Sequence, residues 1–481
     1  MDEELVALLV EYGPRTGALI LAAAAVAASF HAVMVKKNPV SAVAWVGVIW
    51  LSPVVGIIVY YLLGINRVHR RALKLNPGGT AAGDHRPAEE DRVAPVGRNP
   101  LVGYVDQLSD FPVTRGNTVE PLFNGDEAYP AMLEAIAAAK KSVAFSTYIF
   151  TRDELGLRFV EAFRQAMERG VQVRIIVDSV GGGQGGDSVI GLLRDKGLPL
   201  AVFIPRLIPW DWKIVNLRSH RKMLIIDGEQ AFTGGLNIDR RNLVRESGAD
   251  AIRDVHFYLR GPVVRQIQHA FAEDWHFAAG GELAGPDWFP PLPAPGPDGV
   301  LARTVQDGPD INFERIRWVL LGALHQARRS IRIATPYFLP DETLTSQLRV
   351  AAMLGIEVEV ILPEKSDFFL VQWAAWPGVE RLLRRGVRVY LQPGPFDHSK
   401  ITVVDEKWVF FGSSNWDPRS LRLNFELNVE CHDEALARRL NSWFAEKREI
   451  STLLDAGQFA EDRSLLIRFR DRMARLFTPY L

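Results

Sequence analysis

The pattern H-x-K-x-x-x-x-D occurs twice in this chain, and no other feature limits its possible folds so sharply. The copies open HRKMLIIDGEQAFTGGLNIDRR at His220 and HSKITVVDEKWVFFGSSNWDPRS at His398. Lysine stands at +2 (Lys222, Lys400), aspartate at +7 (Asp227, Asp405) and glycine at +14 (Gly234, Gly412). Asparagine follows at +17 (Asn237, Asn415) and a second aspartate at +19 (Asp239, Asp417). One such pattern is a weak signal; six matching offsets in two copies are not accidental. Histidine and lysine two apart on a strand point to the same side, and the apolar LII and ITVV that follow make each copy a strand with buried neighbours. Two such strands set side by side across a pseudo-twofold axis would bring two histidines and two lysines into one pocket.

The flanking sequence repeats as well. KKSVAFSTYIF is followed by a helical stretch, Gly170 and GVQVRIIVD-type strand; RRSIRIATPYF is followed by a helical stretch, Gly355 and GIEVEVILP. Each is a strand–helix–strand unit of a mostly parallel sheet. The expected fold is α/β, with two pseudo-symmetric sandwich halves, 100–279 and 300–450, forming one catalytic unit. A Gly/Pro/Ala-rich tether (76–99) precedes them, a proline-rich break (280–299) separates them, and an amphipathic tail (451–481) follows. In that tail SLLIRFRDRMARLF mixes Leu and Phe with four arginines, as an interfacial helix would. PRLIPWDWKIVNLR, with Trp210 and Trp212, and VQWAAWPG, with Trp373 and Trp376, are further candidates for contact with a membrane surface.

The hydrophobic content of 48% has a location. Residues 16–35 carry one ionisable side chain, His31, and residues 40–65 carry none. Each run is long enough to cross a bilayer as a helix, and only Lys36, Lys37, Asn38 and Pro39 separate them, so a two-helix transmembrane hairpin is expected over 1–75. An acidic start, MDEELVALLVEYG, argues against a cleaved signal. Arg67, His69, Arg70, Arg71 and Lys74 outnumber the loop lysines, which places the catalytic region in the cytoplasm of a multi-pass inner-membrane protein. A net charge of −1 gives no footprint for nucleic acid. One cysteine, Cys431, excludes an intramolecular disulfide.

Phosphodiester transfer needs a nucleophile, an acid for the leaving alkoxide, and positive charge around the phosphate oxygens. Two histidines and two lysines supply these without a metal, and no HExxH or cysteine cluster is present, so no cofactor is expected. The asparagine amides can donate to the phosphate.

The paired motif resembles the phospholipase D superfamily. The resemblance implies that His220 is the nucleophile and forms a phosphohistidine, that His398 is the general acid and then base, and that Lys222, Lys400, Asn237 and Asn415 bind phosphate oxygens. It also implies histidine-orienting carboxylates at Asp254 and Glu426; Asp227 and Asp405 are expected mainly to hold their turns. Spacing alone does not distinguish the two histidines. Within the superfamily the chain resembles bacterial cardiolipin synthases, in its second apolar run and in NLRSHRKMLIIDG, FTGGLNI, TPYFLPDE, GSSNWDPRSLRLNFELN and RMARLFTPYL. It departs from them in IRD for the usual WRD, and in VQWAAWPGVERLL where a tyrosine-rich segment is usual. The implied reaction joins two phosphatidylglycerols into cardiolipin and glycerol at the membrane. A phospholipid hydrolase of the same superfamily, or a non-catalytic membrane scaffold, are the alternatives.

Overall fold

The computed structural model describes residues 3–36, 38–64, 99–183, 188–204, 217–291, 299–310 and 312–478. The basic run from Arg67 to Lys74, the tether up to residue 98, Trp210 and Trp212 with their neighbours, and residues 292–298 of the proline-rich break lie outside these. The chain divides into two units, Met1–Arg71 and Ala72–Leu481.

In the first unit a helix runs from Glu3 to Val35, and its stretch Tyr12–Val35 is long and apolar enough to cross a membrane. Asn38 caps the next helix, Pro39–Leu51, by accepting from the amide of Val40 at 2.9 Å. The apolar run from 40 to 65 does not continue as one helix. It breaks at Ser52, resumes over Pro53–Val59, and ends in a π-helical turn, Tyr60–Gly64. Pro53 has no N–H to continue the ladder, and Gly56 lies so close to the carbonyl of Val48 that a β-carbon there would stand 2.4 Å from it.

The second unit is a mixed α/β fold around one large sheet of sixteen described strands. Its centre is the antiparallel pair Thr114–Phe123 and Val300–Asp307. Outward from Thr114–Phe123 come Val255–Arg260, Gln230–Gly234, Met223–Ile226, Ser142–Thr147, Gln172–Asp178 and Leu200–Phe203. Outward from Val300–Asp307 come Asn424–His432, Trp408–Gly412, Ile401–Val404, Ser330–Ala334, Glu357–Pro363 and Arg388–Gln392. The short strand Thr452–Leu453 then closes that edge, so the start of the expected tail belongs to the sheet.

Local chemistry repeats on the two sides. Asp153 caps the helix Glu154–Glu168, which buries Leu155, Phe159, Val160 and Phe163 and stops before Gly170 at positive φ. Asp341 caps Glu342–Met353, which buries Leu344, Leu348 and Ala351 and stops before Gly355 at positive φ. Asp and Gly at these ends satisfy orphan amides and permit the left-handed exit. Each helix leads into a parallel strand beside the one that preceded it. The apolar faces fill two cores, one around Phe145, Phe159, Phe163 and Ile175, the other around Ile316, Leu320, Ile333 and Val360.

Both motifs end in a hairpin with a three-residue loop whose first two residues have positive φ: Asp227–Gly228 and Asp405–Glu406. That backbone suits Asp and Gly. The Asp227 carboxylate accepts from the amides of Lys140, Lys141 and Ser142, at 3.0, 2.7 and 2.9 Å. Asp405 accepts from Arg328, Arg329 and Ser330, at 2.7, 2.7 and 3.0 Å. Each aspartate therefore ties its hairpin to the start of the neighbouring strand. Asp227→Ala, which strands three amides, is expected to cost about 2–4 kcal/mol, seen as a lower melting temperature of the detergent-solubilised protein.

Candidate active site

Each motif histidine is delivered by a very short strand that pairs with the segment bearing the other motif. Arg218–Ser219 lies parallel to Asn424–Phe425, and the next amide, of His220, donates to the carbonyl of Phe425 at 2.9 Å. Phe396–Asp397 lies parallel to Ile252–Arg253, and the amide of His398 donates to the carbonyl of Arg253 at 2.7 Å. One residue beyond each of those acceptors stands a buried carboxylate. His220 Nδ1 is 3.1 Å from Glu426 Oε2, and His398 Nδ1 is 2.9 Å from Asp254 Oδ2. The histidine–carboxylate pairs are thus crossed between the two segments.

His220 Nδ1 also lies 3.0 Å from the carbonyl oxygen of Ser413. A carbonyl only accepts, so Nδ1 carries the proton and Nε2 presents its lone pair, the tautomer that attack requires. His220, His398, Asn237 and Asn415 line one cavity of about 350 Å³, together with Tyr148, Tyr337 and Arg419. Asn237 Oδ1 is occupied by the amide of Ile149 at 3.0 Å, which turns its NH₂ group toward donation. Lys222 Nζ donates to the carbonyl of His220 at 2.8 Å, and Lys400 Nζ likewise to that of His398. Asp227 and Asp405 are spent on their turns. Among the described residues no group of three or more His, Cys, Asp or Glu converges as metal ligands would.

Burial governs the charges here. It lowers the lysines, Lys222 to about 7 and Lys400 to about 8, against opposition from Glu426 and Asp254 respectively. It lowers both histidines too, His398 far below its ordinary value. The two carboxylates part company. Burial pushes Asp254 up to about 7, only partly opposed by Lys400. Burial also acts on Glu426, but the charge and hydrogen bond of His220, Lys222 and the Ser413 hydroxyl outweigh it, and its pKa ends below the ordinary range.

The local sequence adds to this difference. Glu426 receives the Ser413 hydroxyl and, at 3.1 Å, the amide of Asn424. The residues at the matching places are Gly235 and Ile252, which have nothing to donate. Gly235 is moreover obligatory, because a β-carbon there would stand 2.3 Å from both oxygens of Asp254.

Several site residues escaped the motif reading. Tyr148 packs 5.1 Å from the His220 ring and Tyr337 6.4 Å from His398. Both stand near the ends of the repeated segments STYIF and ATPYF but one position out of register, so the repeat alone carried no signal for them. Ser413, Asn424, Arg218 and Arg419 had none beyond proximity to a motif. Trp373 and Trp376, candidates for membrane contact, are instead half-buried: Arg470 lies 4.2 Å over Trp373 and Arg463 5.3 Å over Trp376. Flat rings under guanidinium groups are packing for the C-terminal segment.

A family model described as "Cardiolipin synthase, PLD-like domain" matches residues 132–275 and 320–448, more than half of the chain. A second, "Phospholipase_D-nuclease N-terminal", matches 23–64. The chain is 32% identical over 462 residues to the major cardiolipin synthase of Bacillus subtilis, covering 93% of this chain and 95% of that one. It is 32% identical over 452 residues to cardiolipin synthase 2 of Bacillus anthracis, covering 93% and 88%. Its fold is similar to the crystal structure of phosphatidylserine synthase from Haemophilus influenzae, with a TM-score of 0.63 at 15% identity over 80% of this chain and 100% of that one. The chain belongs to the PLD-like cardiolipin synthase family.

Proposed function

We propose that this protein is a membrane-anchored cardiolipin synthase, joining two phosphatidylglycerols with release of glycerol. The observation that carries the reading is the crossed pair of histidine–carboxylate contacts on one cavity. His220 Nε2 attacks the phosphorus of the first lipid while His398, protonated when the anionic phosphodiester is bound beside it, gives its proton to the departing glycerol oxygen. The phosphatidyl group then rests on His220. His398, now neutral, takes the proton from a hydroxyl of the second lipid, whose oxygen displaces His220 and forms cardiolipin. One phosphodiester replaces another, so no external energy source is required. Lys222, Lys400, Asn237 and Asn415 hold the phosphate oxygens through both steps. The choice of His220 as nucleophile is supported by its partner: a carboxylate held below the ordinary range by His220, Lys222 and the Ser413 hydroxyl steadies the imidazolium side of attack better than one pushed toward neutrality.

The strand order, identical when read outward from the central pair in either direction, supports two pseudo-symmetric halves with the boundaries given by sequence. The charge-free run to Gly64 supports a return through the bilayer as a hairpin, and the basic residues after it support a cytoplasmic catalytic region. The helix Leu465–Leu476 supports a second membrane contact. Leu465, Leu466, Phe469 and Leu476 are each more than 60% exposed, while Asp471 and Ala474 on the opposite side are buried. A helix with one face packed on protein and an apolar face left bare, flanked by Arg472, suits an anionic lipid surface.

Detergent-solubilised protein with labelled phosphatidylglycerol is expected to yield cardiolipin and glycerol, and His220→Ala to lose on the order of a thousandfold or more in rate. Phosphatidic acid as the sole lipid product would establish a hydrolase instead, and no turnover a scaffold.

The lysines carry their charge below about pH 7 and 8 and lose it above. A bound phosphodiester restores it, so kcat/KM, which reports the free enzyme, is expected to fall as pH rises through 7 to 8 while kcat holds. Ser413→Ala removes a donor from Glu426 and raises its pKa, so the acidic limb of the same profile moves to higher pH.

A further inference from the structure

A second cavity, of about 310 Å³, opens beside the first. His398, Asn237, Ile149 and Asp367 line both, whereas His220 lines only the first. That difference has a chemical meaning. Displacement at phosphorus is in line, so the oxygen that leaves, and later the oxygen that attacks, must lie opposite His220 and next to His398. The group attached to that oxygen extends away from His220. The second cavity is the space on that side.

Its lining fits a polyol joined to a phosphate. At roughly 30 Å³ per water it holds about ten waters, more room than a glycerol needs. Two basic side chains line it, Arg241 and Lys365. Arg241 is taken by Asp239, at 3.1 Å through Nε and 2.6 Å through Nη2. The Lys365 side chain is exposed and has no hydrogen bond or ion pair among the described residues, although the carboxylates of Asp250 and Asp367 line the same cavity. On the wall shared with the first cavity, Asp367 receives the hydroxyl of Tyr337 at 2.7 Å on Oδ1, leaving further lone pairs for a ligand hydroxyl.

We propose that this second cavity is the acceptor subsite. It takes the glycerol leaving group of the first lipid and afterwards the glycerophosphate headgroup of the second, with Asp367 accepting from a glycerol hydroxyl and Lys365 holding the second phosphate. The inference rests on the synthase reading. It makes the first glycerol and the second lipid mutually exclusive, so the reaction is ping-pong. It also explains how a hydrolytic active site is turned to synthesis: the space from which water would attack is filled by the acceptor.

The test compares two acceptors on the full-length enzyme in mixed micelles of phosphatidylglycerol. One is the second lipid, read as cardiolipin; the other is free labelled glycerol, read as label exchanged into phosphatidylglycerol. Free glycerol has no phosphate, so Lys365→Ala is expected to lower the ratio of cardiolipin to exchange by about tenfold, and Lys365→Arg to restore most of it. Asp367→Asn is expected to raise phosphatidic acid relative to both transfer products. A cardiolipin-to-exchange ratio unmoved in Lys365→Ala, or an unmoved share of phosphatidic acid in Asp367→Asn, overturns the subsite while wild-type synthesis stands. Failure of the wild type to make cardiolipin overturns the synthase reading and the subsite with it.

Discussion

The contact on which the site depends is the hydrogen bond from each motif histidine to a carboxylate on the opposite motif-bearing segment. His220 to Glu426 and His398 to Asp254 fix the ring orientation of both histidines at once. The two short strands that carry the histidines across, Arg218–Ser219 and Phe396–Asp397, are each two residues long. They are too short to be stable alone and exist because the partner strand offers its amides and carbonyls. The large sheet supplies one partner, Asn424–His432, and the other, Ile252–Arg253, stands immediately before its strand Val255–Arg260. Its central antiparallel pair sets the two segments in register, and the hairpins held by Asp227 and Asp405 aim the motifs.

On this symmetric frame the chemistry is asymmetric. The backbone pairing around the two histidines is the same, yet one carboxylate has Ser413 and Asn424 beside it and the other has Gly235 and Ile252. The asymmetry costs the fold nothing: it changes two side chains at positions where the backbone is already determined. The charges of His220 and Lys222, with the Ser413 hydroxyl added, hold Glu426 below the ordinary carboxylate range, while burial drives Asp254 toward neutrality.

Much of this was legible in the sequence, and the reasons are physical. The motif offsets report a strand, a tight turn and a return strand, which is local information. The repeats KKSVAFSTYIF and RRSIRIATPYF report strand–helix–strand units in the same way. What the chain could not reveal is what touches across 144 or 206 residues. Asp254 and Glu426 were identified by resemblance, but nothing in their spacing said that each serves the distant histidine. Nor did the sequence show that Ser52–Pro53 interrupts the second apolar run, since composition alone favours an unbroken helix there. Trp373 and Trp376, candidates for membrane contact, lie under arginines about ninety residues further on, and no local pattern records such a match.

The crossed contacts also set a timetable. During synthesis His220 emerges 206 residues before Glu426, which at about 5–20 residues per second is a delay of roughly 10–40 seconds. Throughout it the growing chain has a complete first motif but lacks the carboxylate that orients its histidine. The reactive geometry is therefore withheld until nearly all of the described fold has been made. The protein is, by its topology, silent while it is still unfinished.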